Sequence, residues 1–189
     1  MHSRTTELPT LAIIGPSGAG KSSVIRQLYD EGLIHVNPTW TTRPPRPGEV
    51  EESLEHLFVT PEEFKEKESA GFFLEAVEMF GLPFRYGLPP IKKSEPGRPS
   101  LVMLRASLVP LFNKYFPNHI IYQIEDDVTR IQERLEARQK HGEDLGSRLS
   151  DYEREVEAGR KIADRVFVNK DLDTLAKDIK QALLEDFGK

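Results

Sequence analysis

Leu11-Ala12-Ile13-Ile14-Gly15-Pro16-Ser17-Gly18-Ala19-Gly20-Lys21-Ser22-Ser23 is the stretch that decides the fold. The apolar run Leu11 to Ile14 reads as a buried strand that stops at Gly15. Beyond the glycine-rich turn, Val24, Ile25 and Leu28 recur at helical spacing, and Gly32 falls where a helix C-cap belongs. Between strand and helix, Gly15 to Ser22 satisfies G-x-x-x-x-G-K-[ST]. The chemistry explains the spacing. Glycines let successive backbone N–H groups curl around a β-phosphate, and a helix N-terminus adds partial positive charge. Lys21 reaches the β- and γ-phosphates as a point charge, and the Ser22 hydroxyl ligates Mg²⁺. An accidental Lys-Ser in a glycine-rich turn would lack the flanking strand and helix. The expectation is an Mg·ATP cradle formed by Gly15, Ser17, Gly18, Ala19, Gly20, Lys21, Ser22 and Ser23, with Ser22 as the metal ligand.

Outward from the cradle, further buried strands are expected at Leu101–Leu104, Ile120–Ile124 and Val166–Val168. Helical spacing is carried by Val128/Ile131/Leu135, by Leu149/Tyr152/Val156 and by Leu172, Leu175, Ile179 and Leu183. Strands alternating with helices predict an α/β fold with a mostly parallel sheet covered on both faces. The middle of the chain differs. Thr39 to Pro47 is polar and proline-rich, and Glu55–Thr60 reads as a short strand. Thr60-Pro61-Glu62-Glu63 starts a helix, with Thr60 as N-cap and Glu63 closing a capping box. Gly71 ends it, and Phe72–Phe80 reads as strand again. A small α+β lobe is thus inserted between about Pro38 and Ile91, and a mobile insertion is expected around Lys140–Ser147.

Composition bounds the ligands. The 189 residues are 38% hydrophobic, enough for one domain with a real core. Net charge is −5, so the molecule as a whole does not attract nucleic acid, and an anionic ligand needs a local cluster of Arg and Lys. No cysteine is present, which excludes disulfides, thiol catalysis and cysteine-ligated zinc. No apolar run approaches membrane-span length and none near Met1 is of signal-peptide type, so a cytoplasmic protein without a membrane partner is expected.

Thr39-Trp40-Thr41-Thr42-Arg43-Pro44-Pro45-Arg46-Pro47-Gly48-Glu49 holds two arginines three residues apart on a stiff loop, a fork suited to a doubly charged phosphate. Alone, it could equally be a solvated loop or a polyproline ligand for SH3-type grooves. It does not stand alone. Gly15–Ser23, Thr41–Glu49, Phe58–Phe64, Gly71–Glu75, Tyr86-Gly87, Arg134–Arg138, Arg148-Leu149 and Val166–Asn169 follow one another with family-like spacing. Together they resemble the guanylate kinase family over nearly the whole chain.

That resemblance implies a single domain spanning 1–189. Its P-loop core would be 8–37, 92–126 and 164–189, its nucleoside-monophosphate lobe 38–91 and its lid 127–163. It implies ATP and a nucleoside monophosphate, GMP favoured, as ligands. Arg43, Arg46 and Tyr86 would hold the acceptor phosphate and Glu75 the purine; Thr39 is a further candidate for the acceptor set, as are His56 and Arg105, which depart from the family pattern. Guanine offers adjacent N–H donors at N1 and N2, which one carboxylate accepts side by side; adenine presents an acceptor at N1. Arg134, Arg138 and Arg148 would close over the triphosphate and, with Lys21 and Arg43, carry the catalysis. Arg134 and Arg138 repel at four-residue spacing unless an anion lies between them. Asn169 would lie near the adenine of ATP.

Departures cluster at the acceptor base. His56 replaces a phosphate-contacting tyrosine, Leu88 a small hydroxyl residue, and Val102-Met103-Leu104-Arg105 a Leu-Asp-Ile-Asp strand; Met79–Arg85 is lengthened. Arg105 is open to three readings: a donor to the O6/N7 edge of guanine, a partner of Glu75 that reshapes the pocket for another phosphorylated acceptor, or a sign of a decayed acceptor site. In the last case the chain would be an ATP-binding interaction module without turnover. Such modules typically lack the P-loop lysine that stands here as Lys21.

Overall fold

The computed structural model describes residues 7–45, 49, 53–78, 83–139 and 145–188, without the side chains of 128, 134, 135, 137–139 and 145–149. The chain runs β1 (Thr10–Ile14), α1 (Lys21–Asp30), β2 (His35–Val36), β3 (Thr39–Thr41), β4 (His56–Phe58), α2 (Pro61–Ser69), β5 (Glu75–Glu78) and β6 (Arg85–Leu88). It continues through β7 (Ser100–Met103), a 3₁₀ turn at Ala106–Leu108, α3 (Val109–Tyr115), β8 (His119–Asp126), α4 (Val128–Gln139), α5 (Leu145–Arg160), β9 (Arg165–Asn169) and α6 (Leu172–Phe187). Five strands form a parallel sheet in the order β2-β7-β1-β8-β9.

The pleat of β1 explains the two cores. Leu11 and Ile13 point to one side, where α1 (Val24, Ile25, Leu28) and α6 (Leu175, Ile179, Leu183, Phe187) cover them. Ala12 and Ile14 point to the other, against Val102, Leu104, and α3's Val109 and Phe112. Every residue of β1 is buried, as a central parallel strand requires. Each buried Leu or Ile contributes about 1.5–3 kcal/mol, so the strand that carries the cradle is also the most firmly fixed.

The second sheet, β4-β3-β6-β5, is mixed: β3 pairs parallel with β4 and antiparallel with β6. Register assigns its two faces. His56 opposes Thr39, Phe58 opposes Thr41, Thr41 opposes Tyr86, and Glu75 opposes Leu88. Directly opposed residues share a face, so these side chains line one side of the sheet. Trp40, Gly87 and Ala76 belong to the other side. That side carries an aromatic cluster: Trp40 lies 5.3 Å from Phe72 and 5.6 Å from Phe73, and Phe73 stacks on Phe64 of α2 at 4.7 Å. Helix α2 opens with the expected capping box at Thr60 and Glu63.

Several sequence expectations need correction. The strand expected over Phe72–Phe80 is Glu75–Glu78 among the described residues, because Phe72 and Phe73 turn into the aromatic cluster. Thr39–Thr41 and Arg85–Leu88 are strands that the polar, proline-rich composition hid. Of the insertion expected at Lys140–Ser147, residues 140–144 lie outside the described ones, and 145–147 form the first turn of α5. The lengthening expected at Met79–Arg85 also lies partly outside them, at 79–82.

Candidate active site

The turn between β1 and α1 is shaped by close backbone approach. A side chain at Gly15 would overlap the carbonyl of Ile124 on β8. Gly20, the N-cap of α1, has φ 93°, a left-handed conformation that favours glycine, and a side chain there would strike the amide of Asn169. Asn169 is buried, and its Nδ2 donates to the Ala19 carbonyl at 2.9 Å. Asn169, expected near the adenine of ATP, thus also clamps the cradle. Arg130 braces the same corner, donating to the carbonyls of Asn169 (3.1 Å) and Lys170. Lys21 Nζ lies inside the loop, donating to Gly15 O at 2.7 Å and Pro16 O at 2.6 Å. Ser17, Gly18, Ser22 and Ser23 are exposed at the rim, while Ala19 is buried beneath them.

The cradle touches the second sheet. Ser22 Oγ donates to Glu55 Oε1, and Glu55 is buried immediately before β4. Next to it, His56 Nδ1 meets Thr39 Oγ1 at 2.9 Å. Burial, reinforced by the Arg43 and Lys21 cations and opposed by Glu55 and Glu49, pushes the His56 pKa down to about 4. His56 is therefore neutral at pH 7 and adds no charge for an anion.

Arg43 lies on the same face. Its side chain is only 11% exposed, and its guanidinium forms a bidentate pair with Glu49, at 2.9 and 3.1 Å. It also packs over the Phe58 ring, 5.0 Å from the centroid. Burial works against its charge, but Glu49 and the Tyr86 hydroxyl raise its pKa and keep it ionised. Arg43, Tyr86, Thr39 and His56 are thus brought together facing the cradle. Arg46 lies outside the described residues. Arg134 and Arg138 are on α4 and Arg148 on α5, with their side chains outside the description.

At the far end of the face, Glu75 Oε2 accepts from the Tyr115 hydroxyl at 2.8 Å, with Lys114 Nζ 3.6 Å away. The possibility that Arg105 pairs with Glu75 is corrected here. Arg105 turns to α5, with Nη2 3.0 Å from Asp151 and Nε 3.5 Å from Glu155. Helix α5 carries carboxylates one turn apart at these positions, and Glu155 also accepts from the backbone N–H of Ala106 at 3.2 Å. Leu88, opposite Glu75, is 9% exposed and belongs to the core beside Ile14 and Leu104.

Sequence reasoning missed Glu49, Glu55, Tyr115 and Arg130 as contributors. Glu49 carried a signal, a carboxylate six residues from Arg43 on one loop. The others are long-range contacts without local periodicity. Among the described residues, no group of three or more His, Asp or Glu gathers as a metal cage. One hydroxyl, Ser22, faces one buried carboxylate, Glu55. This donor set fits a hard divalent ion bound mainly by phosphate and water.

A parallel sheet with a glycine-rich cradle at the end of its central strand, and a separate polar face opposite, defines a P-loop fold built to hold two ligands against each other. The solved structure of a guanylate kinase from Anaplasma phagocytophilum shares this fold, with a TM-score of 0.69 over 97% of this chain and 88% of that one, at 23% identity. The sequence model of the guanylate kinase family matches residues 8–186, and the chain belongs to that family. The guanylate kinases of Corynebacterium glutamicum and Corynebacterium efficiens are each 33% identical to it, covering 94% and 91% of this chain and 96% and 93% of theirs.

Proposed function

We propose that the protein transfers the γ-phosphoryl group of ATP to a nucleoside monophosphate, converting GMP to GDP. One observation carries this reading: Ser22 of the cradle contacts Glu55, which adjoins the face that presents Arg43, Tyr86 and Glu75. Donor and acceptor sites are therefore contiguous. In the domain division that follows, 8–37, 92–126 and 164–189 form the core, 38–91 the acceptor lobe and 127–163 the lid.

The chemistry needs positioning and charge rather than a covalent intermediate. An acceptor phosphate oxygen forms a bond to the γ-phosphorus as the bond to the β–γ bridging oxygen breaks, and ADP leaves with the electron pair. The attacking phosphate is already anionic, so no general base is required. The Lys21 ammonium, now held by the Gly15 and Pro16 carbonyls, turns to the β- and γ-phosphate oxygens. Arg43, held ready by Glu49, grips the acceptor phosphate with Tyr86 and Arg46. Neutral His56 holds Thr39 and leaves the field to the arginines. Arg134, Arg138 and Arg148 offset charge on the transferring group from the lid side. Ser22 would hold Mg²⁺, with Glu55 the carboxylate nearest its hydroxyl; the ion neutralises phosphate charge when bound. Glu75 receives the purine N–H groups.

Coupled measurement of ATP consumption with GMP, AMP, dTMP and UMP tests the reading. Turnover fastest with GMP supports it. Binding of ATP without consumption in the presence of any monophosphate would instead mark an interaction module.

A further inference from the structure

Recognition of a guanine needs two kinds of group side by side. Its N1–H and N2–H require an acceptor, and its O6, adjacent to N1, requires a donor. Glu75 supplies the acceptor. The donor is not where sequence comparison looks for it. Leu88 has no polar atom and is packed in the core, and Arg105 is held by Asp151 and Glu155 on α5.

Helix α3 brings donors to the same place. Val109 and Phe112 anchor it in the core at 1% exposure, which fixes where its C-terminal turn emerges. There the Tyr115 hydroxyl donates to Glu75 Oε2 at 2.8 Å. Lys114 Nζ donates to the Tyr115 oxygen at 3.2 Å and lies 3.6 Å from the same Glu75 oxygen. We propose that Lys114 and Tyr115 complete the acceptor-base site, Tyr115 as the positioning residue that orients the Glu75 carboxylate and Lys114 as the donor to the purine 6-oxo group.

The stereochemistry is consistent at each atom. A carboxylate oxygen has lone-pair capacity for more than one hydrogen bond, so Tyr115 on Oε2 leaves Glu75 able to accept N1–H and N2–H. An ammonium has three N–H donors; one is used on Tyr115, and Glu75 lies 3.6 Å away as an ion-pair partner. A purine whose N1–H rests on Oε2 brings its 6-oxo group beside that ammonium. Adenine in the same pose would set its 6-amino donors against Lys114 and its N1 acceptor against Glu75. Both contacts are repulsive, so the pair selects by penalty as well as by attraction. The Lys114 side chain is 64% exposed, so solvent screens it and its effect is moderate.

This inference rests on the proposed GMP activity, and the experiment separates the two. Steady-state kinetics with GMP, IMP and AMP are measured for wild type, Lys114→Met, Lys114→Arg and Tyr115→Phe, with GMP Kd by calorimetry in the absence of ATP. Lys114→Met is expected to raise GMP KM and Kd about tenfold, with kcat within about twofold, and to narrow the GMP-over-AMP preference by a similar factor. Lys114→Arg, which keeps a donor, should recover most of that loss. Tyr115→Phe should lower the GMP-to-IMP ratio about fivefold, because a loosened Glu75 reads the 2-amino group less well. Equal loss with all three acceptors, or a drop in kcat alone, would show a merely structural role and overturn the inference. Unaltered GMP preference in both Lys114→Met and Tyr115→Phe would overturn it while leaving the GMP reading intact. A wild type with no preference for GMP would overturn the GMP reading itself.

Discussion

His56 shows how one buried side chain reports on its surroundings. Arg43 and Lys21 disfavour its proton, Glu55 and Glu49 favour it, and burial decides in favour of the neutral ring. Its pKa falls from 6.5 to about 4, so the unfolded chain binds a proton that the folded chain refuses. Stability is therefore full above about pH 6.5 and declines as pH falls toward 4, by on the order of 2 kcal/mol from this group. Urea unfolding at pH 7.0 and 4.5 should show this slope in wild type and a flatter one in His56→Asn; equal slopes would mean that another group titrates. Lys21 makes the matching prediction for catalysis. Its replacement in Lys21→Ala should lower kcat by about 10²–10³-fold or more while the thermal midpoint shifts by only a few degrees. Both residues were visible in the sequence, but only Lys21 came with its chemistry, because the cradle is a local motif. The field around His56 comes from Lys21, Arg43, Glu49 and Glu55, scattered between 35 and 1 positions upstream, and no local pattern encodes it.

At the scale of the element, strands that carry continuous apolar runs were legible, as were helices with 3.6-residue periodicity. Thus Leu11–Ile14 became β1, and Leu172, Leu175, Ile179 and Leu183 became α6. The short strands β3 and β6 were not, since alternation over three or four residues is no signal when half of them are polar or glycine. Gly87 in β6 shows what fixes them instead. A Cβ there would lie 2.7 Å from the Phe73 ring, so glycine lets the aromatic cluster close against the back of the acceptor sheet. Gly87→Ala should destabilise the protein by about 1–3 kcal/mol, as overpacking does. It should also raise the acceptor KM more than the ATP KM, since Tyr86 is the next residue and the cradle is on the other sheet. Equal changes in both constants would contradict the separation of the two faces. Helix α3 is seven residues long with Pro110 in its first turn, too short for periodicity to register in the sequence.

Across the whole molecule, the ties between the inserted lobe and the core include, among the described residues, Ser22 to Glu55 beside the cradle, Tyr115 and Lys114 to Glu75 at the opposite end, and Leu88 packed beside Ile14 and Leu104. Sequence order revealed that a lobe was inserted but not how it docks, because each of these polar contacts joins residues more than thirty positions apart. The acceptor face is also electrostatically local. The chain carries a net charge of −5, so in the proposed mechanism attraction for two phosphorylated ligands has to come from local cations, Lys21, Arg43 and the arginines assigned to the lid, rather than from the global field. In the proposed reaction this arrangement phosphorylates GMP at the expense of ATP. The most direct measurement is the initial rate of ADP formation by the wild-type protein with ATP, Mg²⁺ and each of GMP, AMP, dTMP and UMP at equal concentration. GMP-dependent ADP formation well above that with the other three is expected, with GDP appearing in equal amount. ADP formation that does not depend on GMP, or a faster rate with another monophosphate, would contradict it.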